Sequence, residues 1–85
     1  MNAEPGAPPP GASHVDAHWE AGAMGCGELV LELRVRLLAL PPGAVLHVTA
    51  EDPGAVEDMP AWCRMTGHRL LAARHPDYWI QRKEG

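Results

Sequence analysis

The chain reads as an α/β (α+β) protein: a two-layer sandwich, β-α-β-α-β-β, with two helices covering one face of a four-stranded mixed sheet. Three observations predict it. Runs at 14–21 and 44–50 alternate apolar and polar residues or are rich in β-branched ones, as strands are. Between them Leu29, Val30, Leu33, Leu37 and Leu40 fall on one arc of a helical wheel. Two short apolar runs, "HRLLAAR" and "YWIQRK", close the chain.

Each element has its own signals. Residues 1–13, "MNAEPGAPPPGAS", are too poor in large apolar groups to offset ordering entropy, so a disordered tail is expected before a single domain at 14–85. In "HVDAHWEA", Val15, Ala17 and Trp19 alternate with Asp16, His18 and Glu20, which predicts a half-buried strand. "GAMGCG" breaks that pattern as a loop. A helix follows over 27–40. Arg34 borders its apolar arc, Leu31, Val35 and Leu38 form a second apolar row, and Glu32 with Arg36 is an i,i+4 pair. "PPG" at 41–43 stops it.

The second strand, 44–50, places Val45, His47 and Thr49 on one face and Leu46, Val48 and Ala50 on the other. In "DPG", Asp52 suits an N-cap and Pro53 the first helical position. Pro60 then predicts an irregular turn followed by a short helix over 60–66, with Gly67 as its C′ residue. "HPD" at 75–77 predicts a tight turn with Pro76 at i+1. No internal repeat is visible.

Composition bounds the function. The chain has 85 residues and a net charge of −4. That balance argues against nonspecific binding to a phosphate backbone. The charge is uneven: residues 1–60 carry nine acids and two bases, residues 61–85 two acids and five bases. Such polarity steers a charged partner, or is a chance excess of solvated arginines. Arg64, Arg69, Arg74, Arg82 and Lys83 are the only support for RNA binding, and no stacking aromatics accompany them. Neither a secretory leader nor a membrane span is read, and two cysteines do not make a stapling pattern. The expectation is a cytoplasmic protein with reduced thiols.

Cys26 is the residue that calls for chemistry. It stands between Gly25 and Gly27, directly before the helix pattern. A thiolate there meets unpaired N–H groups and the positive end of the helix dipole, which favour it. The glycines leave the sulfur accessible. Glu28 opposes this as a nearby like charge, or else serves the helix terminus itself. The alternative is that Cys26 is only a small residue ending a loop. Cys63, beside Trp62 and between Met59 and Met65, reads as a buried core cysteine. A role as a second, resolving thiol would require the two sulfurs to be adjacent. His14, His18, His47, His68 and His75 are scattered, without the short pairings of a zinc site. No metal, no cofactor, no GxGxxG loop and no Ser/His/Asp arrangement is read.

The run from Cys26 through "LVLELR" and then "LPPGAVLHVTAEDPGAVEDMPAWCRMTGHRLL" closely resembles the TusA-like (SirA-like) sulfur carriers. The resemblance covers residues 15–83. It implies the same β-α-β-α-β-β sandwich. It also implies that Cys26 accepts sulfane sulfur as a persulfide and passes it to a partner protein, for tRNA thiolation, molybdenum-cofactor assembly or sulfur oxidation. A donor of the cysteine desulfurase or rhodanese type and a protein acceptor are implied with it. Asp52, Asp58, Pro60, Cys63 and Gly67 correspond to scaffold positions of the family. The family signature Cys-Pro-x-Pro is replaced here by Cys-Gly-Glu-Leu, with Gly27 and Leu29 in place of the prolines. The alternative function is a non-enzymatic regulatory or interaction module of the same fold.

Overall fold

The computed structural model describes residues 14–84; the expected tail, 1–13, lies outside the described residues. Strands β1 (Ala17–Gly22) and β2 (Val45–Ala50) are parallel neighbours. A parallel pair forces the chain to cross back over the sheet, and helix α1 (Cys26–Leu38) makes that crossing. Helix α2 (Ala55–Thr66) then leads to the hairpin of β3 (Arg69–Arg74) and β4 (Asp77–Gln81). β4 inserts antiparallel between β2 and β3, giving a mixed sheet of order β1-β2-β4-β3.

Both helices pack on one face. Leu29, Leu33 and Leu37 of the predicted arc are fully buried, each worth about 1.5–3 kcal/mol of transfer free energy. They meet Met59 and Trp62 of α2 and the inward residues of the sheet, Val48 and Ile80 among them. The second row on α1 is exposed: Leu31 by 68%, Val35 by 63% and Leu38 by 42%. Glu32 and Arg36 pair at 3.0 Å, and the Arg36 guanidinium also lies over the Trp19 ring.

The opposite face carries a cross-strand ladder of rings. His18 on β1, His47 on β2 and Trp79 on β4 stand in register. The His18 and His47 rings are 4.5 Å apart, and His47 stacks on Trp79 at 4.5 Å and 8°. Asp77 accepts from Thr49 Oγ1 at 2.9 Å and lies 2.9 Å from His47 Nε2. Burial pushes the Asp77 carboxyl up, but these hydrogen bonds and the neighbouring Arg74 outweigh it and hold the group below its ordinary value.

Four local expectations are corrected. Val15 does not share the inward face of Ala17 and Trp19; it packs with Val45 and Trp79 on the other side. The chain bends at Asp16, where the carboxylate accepts the Val45 N–H and the Asp16 N–H donates to the Val45 carbonyl. Helix α2 runs unbroken from Ala55 through Pro60. Proline at 60 removes only the bond to the Val56 carbonyl, and Val56 is 52% exposed, so water can satisfy that oxygen. Asp52 and Pro53 do not take the N-cap and first helical positions expected of them: Gly54 is the N-cap and Ala55 the first helical residue, and Asp52 instead accepts the Gly54 N–H at 3.0 Å in the turn before the helix. In the β3–β4 hairpin Arg74 pairs with Asp77, leaving His75 and Pro76 as the two loop residues. Pro76 is therefore at i+2, after a cis bond, the placement of a type VI turn. Gly67 ends α2 as expected, at φ +90°, with its N–H on the Cys63 carbonyl.

Candidate functional site

Because β1 and β2 are parallel, both exit at the same end of the sheet, and both helices begin there. The two exit loops are tied by a bond from the Glu51 N–H to the Gly22 carbonyl at 2.8 Å. Residue 26 is the first of α1. Gly25 precedes it in extended backbone at φ −69°, ψ 158°, and no side chain caps the helix. The first closed bond of the turn runs from the Leu29 N–H to the Gly25 carbonyl at 2.8 Å. The earlier N–H groups thus have no acceptor within the helix, and their dipoles converge on the position that carries the thiol.

Gly25 and Gly27 are both exposed. A Cβ built on either would meet nothing within 4 Å, so the backbone on each side of Cys26 stands in open space. Glu28 is exposed in the first turn of α1, an acid placed where the dipole favours it.

Cys63 is in other surroundings. It is 3% exposed on the inner side of α2, and burial pushes its thiol up to about 11. Among the described residues no group of three His, Cys, Asp or Glu side chains is arranged to hold a metal ion.

The structure adds a feature that the sequence reading missed. A groove of about 290 Å³ runs beside the first turn of α1, lined by Gly27, Val30, Asp58, Ala61, Trp62 and Met65. Trp62, one of the lining residues, packs against His68, ring centroids 5.4 Å apart. His68 Nδ1 accepts the Lys83 N–H at 3.0 Å. Burial and the charges of Lys83 and Arg82 push the His68 imidazole below its ordinary value of 6.5. The signal was present in the spacing of Asp58, Ala61, Trp62 and Met65, one helical face. Starting the helix at Pro60, which left Asp58 in the turn before it, hid it.

Fold and site together define a small two-layer α/β domain whose first helix opens with a cysteine at the carboxyl end of two parallel strands. The family model described as Sulfurtransferase TusA matches residues 21–82. The sulfur carrier protein TusA of Pseudomonas syringae pv. tomato is 37% identical over 73 residues, covering 81% of this chain and 87% of the relative. Its counterpart in Pseudomonas savastanoi pv. phaseolicola is 38% identical over the same shares. That of Pseudomonas aeruginosa is 36% identical over 81% of this chain and 92% of the relative. The chain belongs to the TusA family. No helix among the described residues is long and apolar enough to cross a membrane.

Proposed function

We propose that this chain is a sulfur carrier that holds sulfane sulfur as a persulfide on Cys26 and relays it between protein partners. The observation that supports it is the place of Cys26 in a TusA-family chain: first residue of an uncapped helix, between two open glycines. The Cys26 thiolate attacks the outer sulfur of a donor persulfide. The donor's S–S bond breaks, the donor leaves as a thiolate, and Cys26 gains one sulfur atom. An acceptor thiolate then attacks that outer sulfur, and Cys26 departs as a thiolate, ready for another cycle. Exchange of this kind runs best when the attacking thiol titrates near ambient pH, and the helix dipole acts in that direction. No redox cofactor enters, because the outer sulfur moves as neutral sulfane sulfur: the attacking thiolate supplies the electron pair of the new S–S bond, and the pair of the broken bond stays with the departing thiolate.

The donor is of the cysteine desulfurase or rhodanese type, the acceptor is a second protein thiol, and the setting is a reducing cytoplasm. Cys63, buried and with its thiol raised to about 11, stays outside the transfer and serves the core. The test is intact mass spectrometry after incubating the reduced protein with a cysteine desulfurase and cysteine, or with rhodanese and thiosulfate. Wild type and Cys63→Ser gain one sulfur; Cys26→Ser gains none. No gain by wild type from either donor, with Cys26 still open to alkylation, transfers the reading to an interaction module of the same fold.

A further inference from the structure

We propose that the groove beside the first turn of α1 receives the cysteine-bearing segment of a partner protein, and that this segment sets a cation beside its reactive sulfur and an apolar side chain one or two residues further along. The inference rests on the carrier reading of Cys26 and adds the chemistry of the partner.

Sulfur passes between two thiols only if the partner's sulfur reaches Cys26, and a partner chain lying in the groove runs past Gly27, the neighbouring residue. Gly27 is itself a groove wall and raises no side chain against that approach. From there the lining is apolar: Val30 on α1, then Ala61, Trp62 and Met65 on α2. Met65 is 79% exposed, a wet thioether that gains by being covered. The groove is too open to enclose a small ligand in the way such sites do. An extended segment fits it.

Charge gives the occupant its sign. Asp58 is the one charged residue of the lining. It is exposed, and no hydrogen bond or ion pair engages its carboxylate among the described residues. It belongs to the first turn of α2. Both helices start at the same end of the sheet, so the acid stands at the thiol end and Met65 two turns beyond. Arg34 follows Gly27 by seven residues on the same side of α1, roughly 10 Å along the axis, and does not neutralise Asp58. A segment with Lys or Arg next to its cysteine pairs with Asp58 as the two sulfurs meet.

The test uses two synthetic pentapeptides, each carrying a single cysteine as a mixed disulfide with thionitrobenzoate. In one the cysteine is flanked by lysine and leucine, in the other by glutamate and serine. The Cys26 thiolate attacks the peptide sulfur, the bond to thionitrobenzoate breaks, and the coloured thionitrobenzoate anion leaves with the electron pair. Cys26→Ser supplies the blank. The ratio of the two rates is the readout, because any change in Cys26 reactivity itself cancels. The lysine–leucine peptide reacts about tenfold faster, the combined effect of one exposed ion pair and one partly covered leucine. The ratio falls severalfold in Asp58→Asn and in high salt, and by a smaller factor in Met65→Ser, which leaves every charge in place. Equal rates in wild type, or a preference unchanged in both variants, overturns the docking proposal while sulfur uptake by Cys26 leaves the carrier reading intact. Absence of sulfur uptake from either donor overturns the carrier reading and this inference with it.

Discussion

Two helices of one layer each hold a cysteine, and the positions of the two along their helices differ. Cys63 lies mid-helix on the inner side of α2, packed in the core, with its thiol pushed up to about 11. Position 26 opens α1 at an end without a capping side chain, with exposed glycines on both sides. The lesson is that the same residue type meets opposite physical settings according to its position in a helix. A helix interior facing a sheet supplies hydrocarbon, which penalises the charged sulfur. A helix start supplies unpaired N–H groups, which favour it. The largest expected effect tests this contrast. At neutral pH iodoacetamide modifies Cys26 readily, while Cys63, with about 100-fold less thiolate than an ordinary thiol, stays unmodified until the chain unfolds. Peptide mapping after timed alkylation reads both sites. Modification of Cys63 at the same rate as Cys26 in the folded chain would break the contrast.

A second test moves from chemistry to packing. Cys63→Ser sets a hydroxyl among Met59, Trp62 and their neighbours, at a cost of about 1–3 kcal/mol if it finds no partner. For a domain of this size that lowers Tm by roughly 4–8 °C per kcal/mol. Cys26→Ser at the helix start leaves Tm within about 2–4 °C, as surface substitutions do. Thermal melts of the two variants, both free of added sulfur, give the comparison directly.

A smaller effect probes what braces the groove beside Cys26. His68 stays neutral to lower pH in the folded chain than in the unfolded one. As pH falls below the ordinary value of 6.5, the unfolded chain binds the extra proton first. The stability held by neutral His68 is therefore complete above that value and lost as pH falls from it through the folded value. In His68→Gln the fall of Tm between pH 7 and pH 5 is shallower than in wild type. An unchanged slope would show that His68 does not carry it.

Most of the fold was legible because its signals are local. The arc Leu29–Leu33–Leu37, the faces of β2 and the Gly67 stop follow from periodicity and backbone sterics alone. Two errors arose where a proline was read by its usual effect. Pro60 deprives the carbonyl of an exposed residue, Val56, of its helical bond, and α2 continues through it. Pro76 takes the second loop position because the β3–β4 register, a long-range fact, fixes which residues form the loop. The place of Cys26 was legible from Gly25 and Gly27 and the helix after them. The groove was not, because it joins residues 27–30 to 58–65 and needs both helices to start at the same end of the sheet.

The smallest effect concerns Gly27, where the resemblance places a proline. Its N–H is among those without an intrahelical acceptor, a Cβ there meets nothing, and helical φ suits a pyrrolidine ring. Proline at 27 disfavours helical backbone at Cys26, so the helix start moves by one residue. Cys26 becomes the N-cap and proline takes the first helical position, which it favours. Gly27→Pro then stabilises by about 0.4–1 kcal/mol, chiefly by restricting the unfolded chain, and Tm rises by a few degrees. Sulfur uptake by Cys26 persists, since the free N–H groups that follow remain. A fall in Tm would mean that the Gly27 N–H, or the helical backbone at Cys26, is engaged in the folded chain. In that case glycine at 27 belongs to the working of the thiol and not merely to its accessibility, and the open end of α1 would be more constrained than its bare glycines suggest.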